Sequence, residues 1–480
     1  MLIFQIIFET CVDWRRTGTF YPKHTTVWLE DDPLSPSLFP YSLASVCVRW
    51  FHILSSVAVY WTRQVVTVDS LSTSPIAIQT ALQWVGRLSL QLIVTRHPGL
   101  SKQTGRDEQA RVRAVLDLLR PHIHHTWSLT FNVRYSSSLP ALWREKGDAQ
   151  YLSVLTLMSS RSDTSSVAGL PRFPELHPAK NNNGYDTSLQ ARSLGEATLG
   201  GHFFHDALML GEQRNPWFRN ITALTIRGYT TSDGSGISLN KFITTVQDCG
   251  LLQKLTVEDI PFVNDVHPSH RFRLEAPIVC LRKITDGDTL GCIMSQTLGV
   301  RLKEIVVVSN CPFDGFGKRS SFRSRISSTD LILEEMSASA AAIQQLVCFW
   351  NGENLSLIGC PGVSASFLLG VPTEETPPDL RRLRIVDCEN ISAEGLVALV
   401  RSREIQSAIN AVLPHDPGDE SCVALVELHV HGRGPPVSAE QAAWLANHVE
   451  TFSWATMADD GMQYTWHTSA HELIVLPTHD

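Results

Sequence analysis

At 480 residues, with 43% hydrophobic and 18% charged side chains, the chain can bury a large core and is too apolar to be intrinsically disordered. A formal charge of −8, with no long basic run, argues against a nucleic-acid partner. Ten cysteines are scattered without one Cys-x-x-Cys pair, which excludes a disulfide scaffold and implies reduced, buried thiols in a cytoplasmic or nuclear protein. No window approaches the roughly 18–20 uninterrupted apolar residues of a membrane span.

The first segment, MLIFQIIFETCV, lacks a basic n-region, carries Glu9 in its apolar stretch and shows no small-residue cleavage site. It reads as an amphipathic helix with Ile3, Phe4, Ile7, Phe8 and Cys11 on its buried side, not as a signal peptide. Pro22, Asp31-Asp32-Pro33 and Pro36 mark 13–40 as a connecting loop. In 42–61 the spacing predicts a helix with Leu43, Val46, Cys47, Trp50 and Leu54 on one stripe, Arg49 and His52 off its centre, and Trp61 following. Two or three core helices of an unrelated fold would show the same periodicity.

A Val46-Cys47-x-x-Trp50 helix followed by Trp61 resembles the C-terminal half of an F-box, especially as found in mushroom-type fungi. Ile3, Phe4, Ile7 and Phe8 are similar to the core of the first F-box helix, although the Leu-Pro and carboxylate that usually open the motif do not stand before them. The stretches LQWVGRLSLQLIV (82–94) and PHIHHTWSLTF (121–131) look like the region that leads from such an F-box into repeats.

A period near that of leucine-rich repeats runs through the remainder. The pattern L-x-x-L-x-L is approached at Leu152-Leu155-Leu157, Ile221-Leu224-Ile226 and Leu252-Leu255-Val257. It returns at Leu302-Ile305-Val307 with Asn310, Leu380-Leu383-Ile385 with Cys388, and Leu425-Leu428-Val430. Partial matches at Leu129-Phe131, Leu281-Ile284, Leu331-Leu333 and Leu355-Leu357 with Cys360 bring most steps to between 21 and 31 residues. The expected unit is a short strand, an Asn or Cys turned inward at the bend, and a return helix. In 380–403, Ser392 should cap a helix that turns Leu396, Leu399 and Val400 inward. The expected fold class is therefore α/β, a leucine-rich-repeat solenoid behind a small helical F-box-like module.

Two steps are too long. The polar, Ser-, Asn- and Pro-rich stretch 159–200 reads as a flexible insertion, and 45 residues separate Leu383 from Leu428. The expected organisation is a helical module (1–65), linking helices and first repeats (66–158), the insertion, the solenoid (201–450) and a C-terminal cap or tail (451–480).

Catalytic chemistry finds little support. G-x-S-x-G, P-loop, H-E-x-x-H and Rossmann glycine patterns are all missing. His122, His124 and His125 lack a nearby Cys, Asp or Glu that would complete a metal site, so structural use at a helix end is expected. The DGD at 286–288 reads as a turn and the basic GKRSSFRSR at 317–325 as a solvated loop. No cofactor or metal is expected.

The resemblance implies a non-catalytic receptor that binds a Skp-type adaptor of a cullin–RING ligase and holds a protein substrate on its repeats. Ile3, Phe4, Ile7, Phe8, Leu43, Val46, Cys47, Trp50 and Trp61 would serve as adaptor contacts or as the module's own core. The alternative is a leucine-rich-repeat interaction scaffold that does not engage the ubiquitin machinery.

Overall fold

Strand after strand places two apolar side chains, two residues apart, on one side of a parallel sheet, and this alternation decides which face is buried. The computed structural model describes residues 2–12, 32–35, 37–69, 71–97, 104–140, 148–161, 191–205, 219–229, 236–265, 276–297, 303–312, 328–364, 367, 379–412, 423–434, 437–457, 462–467 and 473–477. The fold is mixed α/β and divides into two units, Met1–Gly234 with Asp248–Leu252, and Ser235–Gln247 with Gln253–Asp480.

In the first unit the helices Leu2–Thr10, Tyr41–Ala44 and Val48–Ser55 precede six parallel strands in sequential order. These are β1 (Arg63–Thr67), β2 (Leu90–Thr95), β3 (Thr126–Tyr135), β4 (Val154–Arg161), β5 (Glu196–Gly200) and β6 (Ala223–Arg227). One buried row joins Leu92, Leu129, Leu155, Ala197 and Leu224 across the ladder, and a second joins Val66, Val94, Phe131, Leu157, Leu199 and Ile226. The helices Pro75–Val85 and Gly105–Leu119 turn Ile78, Leu82, Val112, Val115 and Leu119 inward. Glu108 is buried because its carboxylate accepts from the amides of Arg134 and Tyr135 at 2.8 and 3.0 Å, where β3 ends.

The second unit opens with β7 (Ile237–Ser238), which pairs with β9 (Phe262–Val263). Its main ladder holds β8 (Lys254–Glu258), β10 (Ile278–Arg282), β11 (Lys303–Ser309), β12 (Ser328–Glu334), β13 (Asn354–Ile358), β14 (Arg382–Val386), β15 (Glu427–Arg433) and β16 (Thr451–Met457), all parallel. The strands β17 (Met462–His467) and β18 (Leu473–Pro477) then add antiparallel. The inward rows are Leu255, Val279, Val306, Leu331, Leu355, Leu383, Leu428, Phe452 and Val257, Leu281, Val308, Leu333, Leu357, Ile385, Val430, Trp454, all buried.

In this main ladder each strand from β8 to β14 ends at a left-handed residue: Asp259, Lys283, Asn310, Glu335, Gly359 and Asp387, with φ between 49° and 59°. Their amides donate to the following strand, to the carbonyls of Arg282, Ser309, Glu334, Ile358, Val386 and His431, at 2.7–3.0 Å. The next side chain then points into the core, as Ile260, Ile284, Cys311, Met336, Cys360 and Cys388 all do. Return helices begin at short polar caps: Ser238, Asp286, Ser339, Ser392 and Ser438 each accept from an amide three residues on. The DGD sequence thus starts the helix Gly287–Thr297 rather than a free turn.

Several expectations are corrected. The stretch 42–61 is not one helix: it breaks at Ser45–Cys47, Cys47 is extended (φ −162°, ψ 163°), and Ala58–Trp61 forms a separate 3-10 turn. In β11 the inward residues are Val306 and Val308, not Ile305 and Val307, and Cys311 rather than exposed Asn310 enters the core. A run of three valines hides this register, because a one-residue slip exchanges the faces. At 278–284 the inward strand residues are Val279 and Leu281, while Ile284 fills the bend position. The last part of 159–200 carries β5 and buries Leu194, Ala197 and Leu199; residues 162–190 and 317–325 lie outside the described residues. The expected tail contributes β16 to the parallel ladder before the antiparallel pair.

The 45-residue step holds the 20-residue helix Ala393–Val412. Leu396, Leu399 and Val400 are buried, as the periodicity predicts, and so is Arg403. Its guanidinium donates to the carbonyls of Val423 (3.1 Å) and Leu380 (2.9 Å). Arg403→Leu would leave both acceptors dry and should cost about 2–4 kcal/mol. Urea unfolding checks this; an unchanged midpoint would contradict the role.

Candidate functional site

Two surfaces gather chemistry. The first lies on the N-terminal helices. Phe4 and Phe8 face inward: Phe4 meets Trp50 edge-on at 5.2 Å, while Phe8 packs on Tyr60 (5.1 Å) and Phe39 (6.0 Å). Tyr60 donates to Gln5 Oε1 at 3.1 Å. Buried Trp61 donates its indole N–H to the Leu54 carbonyl at 2.9 Å and lies against Trp84 (4.6 Å) and Tyr41 (5.6 Å). Phe51 meets the other side of the cluster at Trp84, 5.3 Å away.

Closing this core leaves other apolar side chains outside. Leu2, Ile3 and Ile6 are 74, 71 and 52% exposed, and Val46, Val48 and Phe51 are 60, 72 and 37% exposed. Among the expected residues, Phe4, Phe8 and Trp61 are therefore core, Ile3, Val46 and Cys47 are exposed, and Ile7, Leu43, Trp50 and Cys11 are half-buried. Leu2, Ile6, Val48 and Phe51 are not singled out by the sequence, although Leu2 and Ile6 stand at helical i, i+4 spacing.

The second surface is the outward face of β11–β16. Its middle row runs Val307, Ile332, Ser356, Arg384, His429 and Ser453. Arg382 pairs with Glu427 at 3.0 Å, and the Asn354 side chain donates to Asp330. His429 Nδ1 lies 2.7 Å from Ser453 Oγ, and His431 Nε2 lies 3.3 Å from the same oxygen. The two imidazoles stack at 6.2 Å and 16°. His429 Nε2 is 3.8 Å from Glu427, so a Ser–His–Glu chain exists, but Ser453 is a buried residue.

Among the described residues no group of three or more His, Cys, Asp or Glu side chains is placed to hold a metal ion, and no helix is long and apolar enough to cross a membrane. The histidine triplet forms the 3-10 turn Arg120–His125. Burial, and then the neighbouring His124 and His122, push the His125 pKa down to about 4. The bend thiols serve the backbone: Cys360 Sγ contacts the Leu333 carbonyl at 3.4 Å, and the Cys360 amide donates to Cys388 Sγ at 3.4 Å. Burial pushes Cys311 up to about 11, and the contact with Cys360 together with burial pushes Cys388 up. No protein-family model matches the chain, and no curated protein matches it either.

Thiol-specific alkylation of the native protein at neutral pH should label exposed Cys47 and spare Cys311 and Cys388 until unfolding. Mass spectrometry reads this, and Cys311 labelling as fast as Cys47 would refute the inward bend. The unfolded His125 imidazole takes up a proton near pH 6.5, whereas the folded one resists until about pH 4. Its contribution is therefore full above about pH 6.5 and lost as pH falls through that window. His125→Phe should flatten the dependence of Tm on pH there; an unaltered slope would count against it.

Proposed function

We propose that this chain is the substrate-recognition subunit of an SCF-type cullin–RING E3 ubiquitin ligase, acting in the cytoplasm or nucleus. The observation that carries the reading is the exposed apolar set Leu2, Ile3, Ile6, Val46, Val48 and Phe51 on the N-terminal helices and the turn between two of them, whose own core is already closed. Monomeric soluble proteins rarely leave so many large apolar side chains on neighbouring elements uncovered, and a Skp-type adaptor offers an apolar partner. On this reading Ile3 and Val46 belong to the adaptor contact, and Phe4, Phe8 and Trp61 hold the F-box-like module together.

The remainder is read as an irregular leucine-rich-repeat solenoid. Short parallel strands, a recurring left-handed bend, inward thiols and capped return helices support it. The function needs no covalent step in this chain: substrate held on the sheet face is brought near a ubiquitin-charged enzyme, and proximity supplies the rate.

Ile3→Asp combined with Val48→Asp tests the reading. Each side chain is largely exposed, so Tm should stay unchanged while affinity for a purified Skp-type adaptor drops by tenfold or more, since one buried aliphatic contributes about 1.5–3 kcal/mol. Titration calorimetry with the full chain measures it. An intact protein that does not bind the adaptor would leave the interaction-scaffold reading instead.

A further inference from the structure

The middle outward row of β11–β14 changes character along its length. Val307 and Ile332 are half-buried aliphatics, Ser356 is small and polar, and Arg384 is exposed. Arg384 makes no ion pair among the described residues, while its neighbour Arg382 is engaged by Glu427. Beyond Arg384 stand His429 and the bridging Ser453.

We propose that this face binds an extended acidic peptide, seating an aliphatic side chain against Val307 and Ile332 and a carboxylate on Arg384. The inference rests on the receptor reading above and specifies its substrate class. Charge orients the ligand. Asp330 and Glu334 flank Ile332 on its own strand and repel an anion there, whereas exposed Arg384 offers its guanidinium at the other end. The same acidic pair disfavours a uniformly charged nucleic acid. Ile332 and Arg384 are two strands apart, about 10 Å at the usual strand spacing, which a peptide in the extended polyproline II conformation spans in about three residues with both side chains on one side. The recognised segment therefore has an aliphatic and an acidic residue about three positions apart.

Fluorescence anisotropy of the full-length protein with a labelled peptide of Ser and Gly, carrying one Leu and one Glu three positions apart, tests this. Arg384→Glu, Ile332→Ser and the Glu→Gln peptide should each bind about tenfold more weakly. Circular dichroism should show the Arg384→Glu fold intact, because the side chain is exposed. Equal binding by Arg384→Glu, equal binding of the Gln peptide, no binding by the intact protein, or equal competition by a short oligonucleotide would overturn the proposal. Adaptor affinity, measured in parallel, should not respond to Arg384→Glu. Loss of adaptor binding with Arg384-dependent peptide binding retained would sink the ligase reading and leave this site standing.

Discussion

In the main ladder of the second unit, the amide just past each strand from β8 to β14 ties the bend there to the neighbouring strand. At Asp259, Lys283, Asn310, Glu335 and Asp387 the backbone enters the left-handed region, which costs an ordinary residue roughly 1–2 kcal/mol. Each amide gains a hydrogen bond to the next strand, worth about 1 kcal/mol net, and the bend delivers the next side chain into the core, worth about 1.5–3 kcal/mol when it is large and apolar. The sum favours the bend. Because the acceptor lies on the neighbouring strand, each bend also fixes lateral register, and the inward rows stay aligned from Leu255 to Phe452.

That alignment separates structure from recognition. The inward rows are confined to apolar side chains, whereas the outward face is free to carry Arg384 beside His429 or His429 beside Ser453 without disturbing the core. The N-terminal helices divide their labour in the same way: Phe4 and Phe8 look inward from a helix whose Leu2, Ile3 and Ile6 look outward. Neither surface needs a strained or buried charge to function.

Where a strand alternates cleanly, as in LRRLRIV, sequence alone places strand, bend and capped helix, down to Cys388 and Ser392. Where β-branched residues run together, as at 305–308, periodicity cannot choose the face, and the register slips by one. Ala197 and Leu199 escape notice because Ala is a weak hydrophobic signal beside a polar stretch. The helical stripe over 42–61 fails for another reason: the chain breaks at Ser45–Cys47, where extended Cys47 starts a new helix, so Leu43, Val46 and Cys47 no longer share one face with Trp50 and Leu54. The exposed apolar set, and the absence of an ion pair on Arg384 among the described residues, depend on which neighbours arrive in space, which one-dimensional spacing does not encode.

Arg403 has a consequence for how this chain varies. Its guanidinium stands in for backbone donors between Leu380 and Val423, so the longest return segment is spliced in without leaving those carbonyls unsatisfied. Trimming the helix back would strand a cation in an apolar interior, and losing the cation would strand the carbonyls. Change at this step therefore calls for paired substitutions.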